Sequence, residues 1–303
     1  MTTTTIDADG ASVGGEQPST HKVSLAALTA LVIGSMIGGG IFALPQQMAQ
    51  AAAPGPLIIG WLVTGLGMLM LAFVYQRLAV NKPEIEAGVY GYARAGFGNL
   101  VGFSSAWGYW ISAWMGNVGY LVLLMASFGV FLPGFGAGNT ALAIGVASVI
   151  MWLFHMLILR GVREAAIVNA LITIGKVLPL IVFVVIGLLA FKLDVFTHDF
   201  WGSEYGSGSG EVLSQIKSMM LVTVWVFIGV EGASVFSERA KSRTDVGRAT
   251  ILGFVSVLAL LLAVNILSYG IMSRPELAEL SDPSLAGVLQ TAVGAWGAKF
   301  IAL

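Results

Sequence analysis

The chain has 303 residues, of which 57% are hydrophobic and only 10% are charged, and its formal net charge is −1. Soluble proteins carry about 25% charged residues, so this composition is typical of a membrane protein and excludes a basic nucleic-acid-binding domain. The chain has no cysteine, which excludes disulfides and thiolate chemistry, and its three histidines are too far apart in sequence to suggest a metal site. We expect neither a metal nor a cofactor.

Turn residues and charges divide the chain into a tail and eight apolar spans. Residues 1–20 are rich in Thr, Gly and Ser, which predicts a disordered tail. The spans are close to or above the 20 or so residues that a bilayer-crossing helix needs. They cover residues 23–49, 57–76, 99–131, 140–159, 165–191, 212–236, 249–272 and 285–303. A polar loop at 192–211 separates the fifth span from the sixth.

The distribution of basic residues predicts the orientation. If the N-terminus is cytoplasmic, the segments on that side contain ten Lys and Arg residues and the opposite segments contain four. Short loops rich in Lys and Arg stay in the cytoplasm. We therefore predict a multi-pass protein of the cell (inner) membrane with a cytoplasmic tail and an external loop at 192–211.

The first span contains four glycines within seven residues: Gly34, Gly38, Gly39 and Gly40. Each glycine costs a helix up to about 1 kcal/mol relative to alanine, so the run predicts an unwound segment. Unwound backbone at this depth is tolerated only beside a cavity or inside protein. A half-helix beginning after Gly40 would direct N–H groups at an anion such as a substrate carboxylate. Close helix packing through small residues is the alternative explanation.

The sixth span contains a second interrupted segment, residues 227–236, in which Gly229 and Gly232 flank Glu231. Aligning Phe42 with Phe236 gives an offset of 194 residues. Paired interrupted helices at corresponding positions indicate an inverted-repeat transporter whose binding site lies at the breaks. We predict an all-α membrane protein with a five-plus-five inverted-repeat (LeuT-like) fold. Its first repeat covers 21–191, and its second, at 212–303, is truncated and lacks about 80 residues.

Glu231 and Lys176 are ionisable residues that lie deep inside apolar spans. Glu231 is the only one between Ser218 and Ser237, and Lys176 lies about 16 Å into the fifth span. Such residues are usually functional, which predicts a role in proton coupling for both. The alternatives are structural. Glu231 can cap freed N–H groups of a half-helix, and Lys176 can be a static partner of backbone carbonyls.

Two side chains suit a cationic substrate. Trp225 precedes Glu231 by six residues, and an indole can stack on a guanidinium or ammonium group. Asn117 lies in the middle of the third span and can donate or accept a hydrogen bond. Packing or interfacial placement of the tryptophan and interhelical bonding of the asparagine are equally open.

These residues resemble the amino acid–polyamine–organocation superfamily and, within it, the basic amino acid/polyamine antiporters. The resemblance lies in residues 38–42, 86–92, 225–235 and 237–247, of which the last looks closest to the arginine/ornithine branch. It implies that Trp225 stacks over the substrate, that Glu231 responds to pH and that Asn117 belongs to the substrate site. Lys176 departs from the arginine/agmatine exchangers and is similar to a fifth-helix lysine in proton-coupled relatives.

We predict a secondary transporter that exchanges cationic amino acids such as arginine and ornithine by alternating access, and not an enzyme. The predicted substrate-binding residues are Met36, Gly38, Gly39, Gly40, Asn117, Trp225 and Gly229, and the predicted proton-coupling residues are Lys176 and Glu231. The alternative is a proton-coupled uptake permease for lysine or a neutral amino acid. The expected partners are the amino acid, the lipid bilayer and a second copy of the chain in a homodimer.

Overall fold

The computed structural model describes residues 24–82, 84–85, 88–160, 162–203, 209–227, 229 and 243–303. Regular structure in these ranges is helical, and no strand occurs among them. The helices are α1 Leu25–Met36, α2 Gly40–Ala51, α3 Pro54–Asn81, α4 Gly88–Phe97, α5 Asn99–Gly129, α6 Ala141–Arg160, α7 Val162–Ala190, α8 Leu193–Thr197, α9 Ser209–Val226, α10 Arg243–Ile271, α11 Arg274–Glu279, α12 Ser284–Val293 and α13 Ala295–Ala302.

Long apolar helices occupy most of the predicted spans. Among the described residues, α3, α5, α6 and α10 are long and apolar enough to cross a membrane, and α1 with α2 forms a fifth, bent span. Helix α7 covers the predicted fifth span, and α9 covers the first part of the sixth. The sequence pattern therefore locates these helices to within a few residues, except at the two places described next.

The external loop and the eighth span differ from the prediction. The segment 192–211 is not a plain loop, because it contains the short helix α8 and the first residues of α9. The predicted span at 285–303 is two helices, α12 and α13, joined at Gly294. Gly294 has a φ of +89°, a conformation that breaks a helix and that residues other than glycine rarely adopt. Apolar composition continues across this residue, so composition alone did not reveal the interruption.

Helix α10 lies at the centre of the structure. It packs against α1, α2, α3, α7, α8 and α12. Phe254 of α10 stacks on Phe227 at 5.3 Å between ring centroids, and Phe227 meets Trp61 of α3 edge-on at 5.8 Å. All three side chains are fully buried. This aromatic cluster fixes the end of α9 against α3 and α10, directly beside the second predicted break.

Helices α5 and α6 form a peripheral pair with its own small core, made by Met125, Phe135 and Ala143. Large apolar side chains cover the exposed surfaces of both helices, as expected for helices surrounded by lipid. Helix α5 reaches the central bundle through Tyr120 and Leu123, which lie against the glycines that follow α1. A peripheral helix thus contributes directly to the first break.

The hairpin formed by α11 and α12 is attached to α2. Three side-chain to backbone hydrogen bonds join them: Arg274 Nε to the Ala49 carbonyl at 3.0 Å, Gln50 Nε2 to the Ala278 carbonyl at 3.0 Å, and Gln46 Nε2 to the Leu280 carbonyl. These contacts join segments that are more than 220 residues apart in the chain. Helix α2 and the hairpin therefore form one structural unit.

Ser284 adds a further link at the proline of α2. Pro45 lies inside the helix and has no N–H group to contribute to the hydrogen-bond ladder. The fully buried hydroxyl of Ser284 accepts from the Gln46 N–H at 3.2 Å and donates to the Phe42 carbonyl at 3.3 Å. A side chain from α12 thus bonds two backbone groups of α2 beside its proline.

Replacing Ser284 with Ala is expected to destabilise the protein by about 1–3 kcal/mol, because two partly buried backbone groups of α2 lose their bonds to a buried hydroxyl. Thermal unfolding of the detergent-solubilised full-length protein measures this loss as a lower midpoint. Ser148→Ala is the matched control, since the exposed Ser148 hydroxyl bonds the Ile144 carbonyl of its own helix. Equal unfolding midpoints for the two variants would show that the hydrogen bonds of Ser284 contribute nothing to stability.

Candidate functional site

The structure confirms the break predicted in the first span. Helix α1 ends at Met36, α2 begins at Gly40, and the two helices are bent by 49°. The Ile37 N–H still bonds the Ile33 carbonyl at 2.9 Å, but the Gly38 N–H turns back to the Met36 carbonyl at 3.0 Å. The regular helical pattern therefore stops within the glycine run.

The start of α2 presents free backbone donors. The N–H groups of Gly39, Gly40 and Ile41 have no acceptor among the described residues. The Phe42 N–H is bonded again, to the Gly39 carbonyl at 3.0 Å. Free N–H groups and the positive end of the helix dipole together attract an anion. This geometry is suited to a carboxylate.

The same break frees an acceptor, which Lys176 occupies. In a continuous helix the Gly34 carbonyl would accept a hydrogen bond from the Gly38 N–H, which here points to Met36 instead. Lys176 of α7 donates to that carbonyl, with Nζ 2.7 Å from the oxygen. The lysine therefore joins α7 to the end of α1. This contact corresponds to the structural alternative for Lys176, and its role in proton coupling stays a prediction.

A cavity opens at the break. It contains about 340 Å³ of space between atoms, counting the part that is open to solvent. Its walls come from α1, the break, α2, α5, α9 and α10: Ser35, Met36, Ile37, Gly38, Gly40, Ile41, Tyr120, Trp225, Val226 and Leu261. Helix α2 thus brings two of the free N–H groups, those of Gly40 and Ile41, to the same cavity as two aromatic rings.

The aromatic rings pack directly on the glycines. The rings of Tyr120 and Trp225 lie 6.0 Å apart between centroids, with their planes at 32°. A Cβ added at Gly40 would lie only 2.4 Å from Cζ3 of Trp225, and one added at Gly38 would lie 3.0 Å from the Tyr120 hydroxyl. The glycine run therefore serves both purposes considered above: it lets the aromatic rings pack closely, and it interrupts the helix. The missing side chains make room for the aromatic walls.

The second predicted break meets the first through Gly229. Gly229 has a φ of +108°, and a Cβ there would lie 2.7 Å from the Ser35 carbonyl oxygen. The Ser35 hydroxyl donates to the Val32 carbonyl at 2.8 Å and lies 3.4 Å from the Gly229 carbonyl. Glu231 lies outside the described residues.

The predicted site residues separate into two groups. Met36, Gly38, Gly40 and Trp225 line the cavity, while Gly39 lies behind it, against Tyr120 and Leu123. Asn117 is exposed and does not line the cavity.

Sequence reasoning missed Ser35, Tyr120 and Leu261 as cavity residues. Tyr120 follows Asn117 by three positions and therefore lies on a neighbouring part of the same helix face. That spacing was the available signal.

Comparison with known proteins agrees with this architecture. Residues 23–303 match the family model described as amino acid permease. A bent apolar span with unpaired N–H groups beside a cavity is the form that binding sites take in transporters with discontinuous helices. The chain belongs to the amino acid permease family and is a multi-pass membrane protein.

Several curated proteins are similar to the chain over most of its length. An arginine/ornithine antiporter of Pseudomonas aeruginosa is 59% identical over 287 residues, which cover 95% of the chain and 59% of that protein. An arginine/agmatine antiporter of Chlamydia caviae is 46% identical, covering 92% and 58%. An L-lysine transport protein of Corynebacterium glutamicum is 44% identical, covering 97% and 59%. The chain thus spans about 60% of the length of these relatives.

Proposed function

We propose that the protein is a secondary transporter that exchanges cationic amino acids, with arginine and ornithine as the substrate pair, by alternating access. The observation that carries this proposal is the break between α1 and α2, where free N–H groups and the Trp225 ring face one cavity. The N–H donors can bind a carboxylate, and the aromatic surface beside them can bind a cation. Together they match the two ends of a cationic amino acid. The names of the similar antiporters support the same substrate class.

Each predicted site residue has a place in this proposal. The substrate carboxylate binds at Gly38 to Gly40, where the free N–H groups of Gly40 and Ile41 are the donors at the cavity, with Met36 and Gly229 forming adjacent backbone. Trp225 stacks on the cationic head, and Tyr120 extends the aromatic wall. Asn117 lies one turn before Tyr120 on α5 and is proposed to face the side chain of the substrate. Lys176 and Glu231 couple protonation to movement.

We also propose the five-plus-five inverted repeat. Ser35 and Gly229, which lie in contact, are separated by 194 residues, the offset that the sequence alignment of the two breaks predicts. Residues that are equivalent in two repeats meet each other where a pseudo-twofold axis passes between them. Contact at this offset therefore supports an axis running through the two breaks.

A second pair of segments supports the same repeat. Helices α4 and α12 have ten residues each, and each is followed by a glycine and another helix. The two glycines, Gly98 and Gly294, have nearly identical backbone angles: φ 86° and ψ −176° for the first, φ 89° and ψ −174° for the second. In this proposal α12 corresponds to α4, and the eighth span begins at Ala295 as the counterpart of α5.

A proton-coupled uptake permease is the second candidate. The observation that favours it is the Lys176 contact at 2.7 Å with the carbonyl freed by the break, because a lysine that gains or loses its proton there changes the bonding of α1. Similarity to a protein named L-lysine transport protein points in the same direction. Labelled-arginine uptake by the full-length protein, with unlabelled competitors, separates the substrate classes. Competition by ornithine, lysine or agmatine supports the cationic assignment, and equal competition by leucine contradicts it.

Trp225→Leu is expected to weaken arginine binding by tens of fold, because a desolvated cation–π contact contributes about 2 kcal/mol or more. Trp225→Phe keeps an aromatic face and should retain much of the affinity. Competition binding with arginine and leucine on the full-length protein measures the difference. A parallel loss for both amino acids in Trp225→Leu would mean that the ring shapes the cavity without recognising the cation.

The proposed orientation has the N-terminus in the cytoplasm and residues 192–211 outside. No cysteine occurs in the chain, so single cysteines can be introduced cleanly. Lys192→Cys is expected to react with a membrane-impermeant maleimide applied to intact cells, and Lys241→Cys only after permeabilisation. The reverse pattern would invert the topology. Size analysis of the same solubilised protein tests the proposed homodimer.

A further inference from the structure

Helices α3 and α10 pack against each other in antiparallel orientation. A Cβ on Gly65 of α3 would lie 3.1 Å from Cδ2 of Leu258, and the Gln76 side chain occupies the place that a Cβ of Gly247 would take. Residue numbers therefore rise along one helix as they fall along the other. In such a pair the residues that follow the contact residues lie on one common flank, because each step along a helix rotates by about 100°.

The flank defined in this way is exposed and mostly apolar. It starts from the residues that follow the contacts, Leu66, Arg77 and Arg248. Five apolar side chains on it are 36% to 63% exposed: Leu62, Leu66 and Phe73 of α3, and Leu252 and Val255 of α10. All five belong to the candidate membrane spans 54–78 and 247–271. This surface, the α3–α10 flank, therefore presents apolar side chains at the depth of lipid acyl chains.

Two arginines end the α3–α10 flank at the same level of the membrane. Arg77 is the last residue but one of the span 54–78, and Arg248 is the second residue of the span 247–271. Both are exposed, and neither has a hydrogen-bond or ionic partner among the described residues. Two unpaired guanidinium groups therefore lie where an apolar surface meets the polar edge of the bilayer.

The acidic residues near this edge do not neutralise the two arginines. Asp245 precedes Arg248 by three residues, but it is only partly exposed and does not pair with it. Glu84 pairs with Lys82, at 3.7 Å between the charged atoms. In the sequence, residues 237–248 include four basic and two acidic side chains. The remaining positive charge attracts an anion to this end of the flank.

We propose that the α3–α10 flank binds an anionic phospholipid, with Arg77 and Arg248 on its phosphate and the five apolar side chains along its acyl chains. The lipid belongs to the leaflet that is cytoplasmic in the proposed orientation. Arginine binds phosphate through two parallel hydrogen bonds, and a pair of arginines favours a headgroup with net negative charge. A bound lipid would join the inner end of α3 to α10, on which α1, α2 and α7 pack. This inference does not depend on the transported substrate.

The test is thermal unfolding of the full-length protein in neutral detergent with increasing amounts of added lipid. Phosphatidylglycerol is expected to raise the unfolding midpoint, whereas phosphatidylethanolamine and inorganic phosphate are not. The double variant Arg77→Gln, Arg248→Gln should need at least tenfold more phosphatidylglycerol for half of the shift, because both cationic contacts are lost. The double variant Arg160→Gln, Lys192→Gln removes two exposed cations elsewhere and is the matched control. No shift with phosphatidylglycerol, an equal shift with inorganic phosphate, or an unchanged lipid requirement in the first variant would overturn the proposal.

Spin labelling reports on the α3–α10 flank without changing its arginines. A nitroxide attached to Leu66→Cys in the full-length protein, reconstituted in phosphatidylglycerol-containing liposomes, is expected to collide readily with oxygen, as labels in contact with lipid do. A label attached to Ala72→Cys, a position that is fully buried between the helices, provides the shielded reference. Oxygen access at position 66 as low as at position 72 would show that another protein segment or a second copy covers the flank. That result would overturn the lipid assignment.

Discussion

Gly40→Ala in the full-length protein is expected to reduce arginine exchange at least tenfold. The added methyl carbon would lie 2.4 Å from Cζ3 and 2.9 Å from Cη2 of Trp225, distances that real Cβ atoms essentially never show. The neighbour is a rigid indole ring, so either the ring or the start of α2 must shift. Both line the central cavity, and a displacement of about 1 Å at a binding site has large effects on rate.

Two other glycines serve as internal references for this prediction. Gly67 of α3 has open space around the position of a Cβ, so Gly67→Ala should leave exchange intact and stabilise its helix slightly. Gly38→Ala should be milder than Gly40→Ala, because the closest atom to its Cβ would be the Tyr120 hydroxyl oxygen, at 3.0 Å, and the Tyr120 ring carbons would lie at ordinary contact distances. The measurement is initial uptake rate at equal expression. Wild-type uptake by Gly40→Ala would contradict the cavity geometry described above.

Lys176→Ala is expected to reduce exchange at least tenfold and to flatten its dependence on pH. The Gly34 carbonyl loses its hydrogen bond from Lys176, and a hydrogen bond from a charged group contributes about 1.5–3 kcal/mol. Lys176→Arg should restore the bond only in part, because arginine keeps its proton throughout the accessible pH range. Uptake rates between pH 5 and pH 9 measure both effects.

Lys192→Ala is the control for the two Lys176 variants, because Lys192 is an exposed lysine in the segment between α7 and α8. A Lys176→Ala variant that is slow but keeps the wild-type pH profile would assign the lysine a structural role at the break. Wild-type rates and profiles in both Lys176 variants would show that the contact with Gly34 is dispensable.

The sequence was sufficient to predict the features that depend on local composition. Charge-free apolar stretches located the long helices, and the run from Gly38 to Gly40 located the break, because glycine weakens a helix wherever it occurs. Lys176 was recognisable as exceptional from its depth in an apolar span. Its partner, the Gly34 carbonyl, was not predictable, since the two residues are 142 positions apart.

Features that depend on tertiary packing were not predictable. Tyr120 is one of several aromatic residues on α5. It lines the cavity because α5 approaches Gly38 and Gly39 at this position, which the sequence does not reveal. Gly294 lies within an apolar run, so its helix-breaking conformation left no trace in the hydropathy. Ser284 is an ordinary serine in the sequence, and its role appears only when α12 packs on the proline of α2.

Exchange of one cationic amino acid for another is the proposed function on which the predictions for Gly40, Lys176 and Trp225 depend. The most direct measurement is uptake of labelled arginine by the full-length protein in liposomes that are either empty or loaded with ornithine, at equal pH on both sides. Rapid uptake into ornithine-loaded liposomes is expected, with almost none into empty ones. Uptake into empty liposomes that follows an imposed proton gradient and does not respond to internal ornithine would contradict it.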